Sequence, residues 1–186
     1  MEFCKLTDLK PGMIGLSSGP GFIQKAIKTF TRGEYAHSFV IISGPYEELS
    51  VIETSSTIIK VTPLVNKLSE LDVIDIWEPL ATEEEKKQAL LQTYKEYAGG
   101  RYGYESYLWF MYRAGIRLVG VEPLTMWDWV SHGTTCTELS CYYVSKLSEV
   151  FSRLFQFRDF NTFAPTELRL LMGYKNDMFK SIGRLI

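Results

Sequence analysis

The chain is poor in cysteine and histidine, carries no basic excess and contains no long apolar run. Three cysteines (Cys4, Cys136, Cys141) and two histidines stand among 186 residues. The cysteines form no Cys-x-x-Cys pair, which excludes a zinc-ribbon pattern and a disulfide framework. Cys136 and Cys141 lie five apart, a spacing that points them in different directions on one helix and argues against a bridge between them. So sparse a set fits a reducing compartment. A net charge of -2 argues against a dedicated nucleic-acid binder, which carries a strong basic excess. No apolar stretch approaches the roughly 20 residues that cross a bilayer. The opening Met-Glu-Phe-Cys-Lys-Leu-Thr-Asp lacks a basic n-region and an apolar h-region, so no signal peptide is expected and a cytoplasmic location is. Repeats and low-complexity linkers are also missing.

What is present reads as one α+β domain over residues 1–186, with 46% hydrophobic and 14% aromatic residues. The turn Leu9-Lys10-Pro11-Gly12 leads into an expected short strand at 13–16. Ser17-Ser18-Gly19-Pro20-Gly21 reads as a break; without a following Gly-Lys-Ser/Thr it is a plain loop, not a phosphate loop. Helical spacing of Ile23, Ala26, Ile27 and Phe30 predicts a helix at 22–30. Strands are expected at 36–43, 50–56 and 72–78, where β-branched residues are bounded by turn residues. Thr82 with Glu85 makes a capping box that opens a further helix, closed by Gly99-Gly100. The aromatic stretch at 107–121, interrupted by Arg113 and Arg117, reads as a buried helix in preference to a lipid-facing surface. Pro165-Thr166-Glu167-Leu168 starts a short helix. The tail with Lys175, Phe179, Lys180, Ile182 and Arg184 is either a docked amphipathic piece or a frayed end.

Chemistry concentrates at Thr134-Thr135-Cys136-Thr137-Glu138-Leu139. Thr135 and Glu138 form another capping box, placing Cys136 at the first residue of a helix. A thiol there faces unpaired backbone N–H groups and the positive end of the helix dipole, both of which favour thiolate. Leu139, Tyr142, Tyr143, Leu147, Val150 and Phe151 follow at helical spacing. A small core filler is the plainer role for an isolated cysteine. A nucleophile also needs a base, and only His37 and His132 can supply an imidazole. His37 begins a strand, which holds geometry better than the Ser131-His132-Gly133 segment does, so His37 is preferred. Glu53, a carboxylate within an apolar strand, is the candidate to orient the ring. Residues 37 and 53 fall opposite each other if the hairpin centres on Pro45; a slip of one residue would put them on opposite faces, and Glu53 facing solvent is the alternative.

Several segments together resemble a known family. They are Leu9-Lys10-Pro11-Gly12-Met13-Ile14-Gly15-Leu16, Thr31-Arg32-Gly33-Glu34-Tyr35-Ala36-His37-Ser38, Val51-Ile52-Glu53, Gly99-Gly100-Arg101-Tyr102-Gly103-Tyr104 and Thr135-Cys136-Thr137-Glu138-Leu139. They are similar to the YiiX-like branch of the circularly permuted NlpC-type papain-fold cysteine hydrolases, in which a histidine strand comes first, an acid follows and the cysteine comes late. The resemblance covers nearly the whole chain, through motifs that are short singly and specific in combination. It implies a permuted papain-like fold, an antiparallel sheet packed against helices. It also implies a catalytic set of Cys136, His37 and Glu53, substrate-lining roles for Tyr35 and Tyr102, and neither metal nor cofactor. The implied partner is a peptide or acyl substrate, with amide cleavage in a cell-wall-type peptide as the expected activity and membrane contact not expected. A thiol-dependent lipid acyl hydrolase or acyltransferase, and a non-catalytic binding module, are the alternatives. Met13 departs from the aspartate that the family shows after Pro-Gly, which touches a structural hydrogen bond and not the catalytic set.

Overall fold

β-branched residues cluster at Val40-Ile41-Ile42, Val51-Ile52 and Val73-Ile74, and each cluster forms a strand in the computed structural model, which describes residues 2–44, 47–55, 58–68, 73–100, 106–117, 120–121 and 134–185. The strands are β1 (Phe3–Cys4), β2 (Ile14–Ser18), β3 (His37–Ser43), β4 (Leu49–Ser55), β5 (Ile58–Pro63), β6 (Val73–Pro79) and β7 (Phe179–Leu185). They make one seven-stranded sheet in the order β1-β7-β6-β2-β3-β4-β5. All neighbours are antiparallel except β1 and β7. The helices are α1 (Phe22–Thr31), α2 (Leu64–Leu68), α3 (Glu83–Tyr97), α4 (Ser106–Arg117), α5 (Cys136–Ser145), α6 (Glu149–Ser152) and α7 (Pro165–Tyr174). The architecture is α+β, and no helix among the described residues is long and apolar enough to cross a membrane.

Alternation along the strands gives the sheet two apolar faces. Val40, Ile52, Ile14 and Leu16 pack with Leu139, Tyr143 and Val144 of α5 and with α7 on one face. Phe39, Ile41, Val51 and Ile76 pack with Met13 and with Leu64 of α2 on the other. Helix α5 therefore lies directly on β3, and Tyr143 ties its far end to the Pro11-Gly12 turn by donating to the Gly12 carbonyl at 2.9 Å. In that turn Met13 Sδ accepts from the Lys10 N–H at 3.3 Å. A weak sulfur acceptor thus replaces the expected carboxylate, while the side chain is buried.

Several expectations need correction. Ser17 and Ser18 belong to β2, paired with Ile74 and Val73 of β6, so the break begins later than the serines suggest. Strand β5 and helix α2 are additions to the expected elements; β5 is rich in β-branched residues (Ile58, Ile59, Val61, Thr62) and lies at the sheet edge, where its terminal proline is tolerated. The apolar series after Cys136 is not one helix. α5 stops at Ser145, Ser148 is extended, and the chain restarts as α6, which brings Phe151 edge-on to Phe179 with ring centroids 5.4 Å apart. The tail is a strand, β7, next to the sheet edge. Its alternation is broken because the ladder passes from Gly183 opposite Ile76 to Ser181 opposite Trp77, leaving Ile182 as a bulge. Gly183 is required there: its φ is +121°, and an added Cβ would sit 2.7 Å from the Glu2 carbonyl oxygen. In 107–121, Trp109 and Arg113 of α4 are buried, as a core-facing helix requires.

Candidate active site

Thr135 caps α5 as its sequence dictates. Its hydroxyl accepts from the Glu138 N–H at 3.0 Å, and Glu138 Oε2 accepts from the Thr135 N–H at 3.2 Å. Cys136 is thereby fixed as the first helical residue, and it is 5% exposed. Ser38 and Ser140 set the distance between this turn and the sheet. Ser38 Oγ donates to the Cys136 carbonyl at 3.0 Å, and Ser140 Oγ donates to Ser38 Oγ at 2.9 Å. Both hydroxyls are fully buried, so the helix start is pinned to the start of β3. Neither serine was identified from the sequence. The available signals were a serine beside His37 in an apolar strand, and a second one helical turn after Cys136.

His37 opens β3 and meets Glu53 of β4, with Nε2 2.7 Å from Glu53 Oε2. The pairing is not the directly opposed one expected. The ladder matches Val40 with Ile52, which sets Glu53 level with Phe39, two positions along from His37. The offset is even, so the two side chains still share a face and meet diagonally. Phe39 shares that face, its ring centroid 6.3 Å from that of His37 and lying over Gly15, where any Cβ would collide with it. The hairpin residues 45–46, and with them Pro45, lie outside the described residues. Glu53 does not face solvent: it is 1% exposed, and the same Oε2 takes Lys67 Nζ of α2 at 2.7 Å.

The charges follow from these contacts. Burial pushes the Cys136 thiol up, but the imidazolium of His37, a hydrogen bond between the two side chains and one from the Ser38 backbone N–H more than offset it. The thiol is held below its ordinary range. Burial pushes His37 down, while the charge and hydrogen bond of Cys136, followed by those of Glu53, raise it to about 9. Burial also acts against ionisation of Glu53, and the His37 and Lys67 contacts reverse that. The shifts all favour the charged forms, a thiolate, an imidazolium and a carboxylate in series. Cys141 is the contrast on the same helix. It is fully buried, burial drives its thiol well above the usual value, and it is a core residue.

The remaining residues expected at a site fall elsewhere. Tyr35 is buried, and its hydroxyl donates to Asp75 of β6, which also receives Arg184 Nε of β7 at 2.7 Å. The phenol is therefore engaged in tying the segment before β3 to β6 and β7. Tyr102 and His132 lie outside the described residues. Lys67 was not foreseen, because nothing in the sequence announces the short helix that carries it.

No family model matches this chain, and no curated protein matches it. Among solved structures it is similar to the crystal structure of the metalloprotein yiiX from Escherichia coli O157:H7. The two share 16% identity over 94% of this chain and 88% of that one, with a TM-score of 0.53. The likeness is one of fold: this chain has a yiiX-like fold.

Proposed function

We propose that this chain is a cysteine hydrolase of permuted papain-like type that cleaves an amide, in a cell-wall-type peptide, through a thioester. The observation that supports it is the series Glu53–His37–Cys136, with Nε2 of the ring held 2.7 Å from a buried carboxylate and the thiol at a helix N-terminus. Glu53 occupies Nε2, which leaves Nδ1 to face the thiol. The Cys136 thiolate attacks the carbonyl carbon and forms a C–S bond. The resulting oxyanion is met by backbone N–H groups of the first turn of α5, which have no acceptor within the helix. Collapse breaks the C–N bond, and His37 gives its proton to the departing amine. Water then attacks the thioester as His37 takes its proton, the C–S bond breaks, and the acid leaves. Glu53 keeps the ring in the required tautomer and stabilises its charged form.

The fold neighbour is described as a metalloprotein. Among the described residues here, no group of three or more His, Cys, Asp or Glu side chains could hold a metal ion. Glu53, the acid beside His37, already answers two nitrogen cations through a single oxygen. Among the described residues the donor set does not fit a metal.

A lipid acyl substrate is the second reading. It is favoured by an apolar groove between α3 and the β3–β4–β5 face, lined by Ile42, Ile52, Val61, Leu90, Leu91 and Tyr94. Incubation with peptidoglycan fragments and with phospholipid vesicles, followed by mass spectrometry, separates the two readings. Release of an amine from the peptide, lost in Cys136→Ala, supports the first; a freed fatty acid supports the second. A Cys136 that alkylates no faster below neutrality than an ordinary thiol overturns both and leaves a binding module.

A further inference from the structure

We infer that Lys67 is a positioning residue of this site, a second counter-charge that keeps Glu53 ionised whichever charge His37 carries; the inference rests on the hydrolase reading above. The geometry is a three-centre ion pair. Glu53 Oε2 lies 2.7 Å from His37 Nε2 and 2.7 Å from Lys67 Nζ. The carboxylate is 1% exposed and the lysine side chain 12%, so both contacts are made largely out of water. Glu53 comes from β4, His37 from β3 and Lys67 from α2, and Cys136 of α5 meets the ring on its other side. Among the described residues, Glu53 and Cys136 act on the imidazole directly and Lys67 acts on it through Glu53.

A buried carboxylate with one cationic partner is stable only while that partner is charged. If His37 were the sole partner of Glu53, loss of its proton would strand an ion in the interior, and the ring would resist becoming neutral. Turnover requires that it become neutral, because His37 must give its proton to the leaving amine and stand as a base when water attacks the thioester. In the acyl-enzyme the thiolate is also gone, which leaves Lys67 as the remaining cation beside Glu53. Lys67 therefore lowers the cost of the neutral ring. It also competes for the carboxylate charge that holds the imidazolium, so it keeps the ring from titrating above the range useful for catalysis. The short helix α2 brings Lys67 to this place, and Leu64, buried against Val51 and Phe39, anchors that helix to the sheet.

The chain has two histidines, so ring signals can be titrated directly by NMR, with His132→Ala identifying the His37 signal. Wild type, Lys67→Gln and Lys67→Arg are compared. The expected result is an upward move of the His37 midpoint by about one pH unit in Lys67→Gln, and none in Lys67→Arg. Single-turnover kinetics with a thioester-forming ester probe should show deacylation slowed about tenfold in Lys67→Gln, acylation changed less, and both restored by arginine. A structural role alone predicts equal loss in both phases and no change of midpoint. A His37 midpoint that is unchanged or lower in Lys67→Gln overturns the inference. Should Lys67→Gln fail to fold, Lys67→Arg carries the test: a shifted midpoint in a folded arginine variant overturns it, and an unshifted one supports it. Failure of the hydrolase reading appears separately, as a wild-type Cys136 that reacts no faster with iodoacetamide below neutrality than an ordinary thiol.

Discussion

Glu53→Gln separates holding the ring from charging it. The amide keeps the size and an acceptor for His37 Nε2 but removes the carboxylate charge. The His37 midpoint is expected to fall from about 9 toward its usual 6.5, and hydrolysis to slow by about 10²-fold or more. Histidine NMR and steady-state kinetics check the two halves of that statement. The raised His37 and lowered Cys136 also fix the pH profile. Reaction with iodoacetate should begin below the ordinary thiol range, as Cys136 ionises, and decline as pH rises through about 9 and the imidazolium that attracts the anionic reagent is lost. Ser38 acts differently, since its hydroxyl bonds the Cys136 carbonyl and the Ser140 hydroxyl and not the thiol. Ser38→Ala removes two buried hydrogen bonds, while Ser140 Oγ still reaches the Cys136 carbonyl at 3.3 Å, and should cost about 1–2 kcal/mol in urea unfolding. The Ser38 N–H to the thiol survives that change, so early alkylation of Cys136 should survive too.

Among the elements, α7 is pinned at its start by Glu167. Glu167 at its third position accepts from the Ala164 N–H at 2.9 Å, and its carboxylate receives Arg113 of α4 through two nitrogens, at 2.7 and 2.9 Å. Arg117 and Arg158 join the same group. Burial opposes ionisation of Glu167, yet the Arg113 hydrogen bonds and the charges of Arg158 and Arg113 take it down to about 2. A lowered acid stabilises the fold fully above its unfolded value, near 4.5, and loses that contribution as pH falls toward 2. Glu167→Gln should therefore cost about 3–5 kcal/mol at neutral pH, because the buried Arg113 loses the carboxylate it holds through two nitrogens. The difference from wild type should shrink steadily in melts taken from pH 5 down to pH 2. Helix α5 is a case where local signals sufficed: Thr135 and Glu138 three residues apart announced its start, and the start is where they place it. Its end was not legible, because the apolar period continues through Val150 and Phe151 although the chain turns at Lys146 to Ser148.

Across the whole molecule, the sheet runs from β1 at one edge to β5 at the other, with the site on β3 and β4. β1 is held on β7 where Gly183 lets the Glu2 carbonyl approach, on the far side of β6 and β2 from the site. Gly183→Ala forces a side chain into a positive φ and into that carbonyl, with an expected loss of about 1–3 kcal/mol. Amide exchange at residues 3 and 4 should accelerate, while Cys136 alkylation stays as in wild type. The sequence by itself determined what depends on near neighbours: the capped helix start that exposes Cys136 to backbone N–H groups, the β-branched strand that begins at His37, and the acid in the next strand. Those features rest on spacings of two, three and four residues, which a chain carries wherever it folds. Tertiary structure alone decided whether Glu53 faces His37, since one residue of register would have turned it away. It also turned the tail into β7 around a bulge at Ile182, and brought Lys67 from an unannounced helix onto the carboxylate. These are distances between segments far apart in the chain, fixed only when the two faces of the sheet pack.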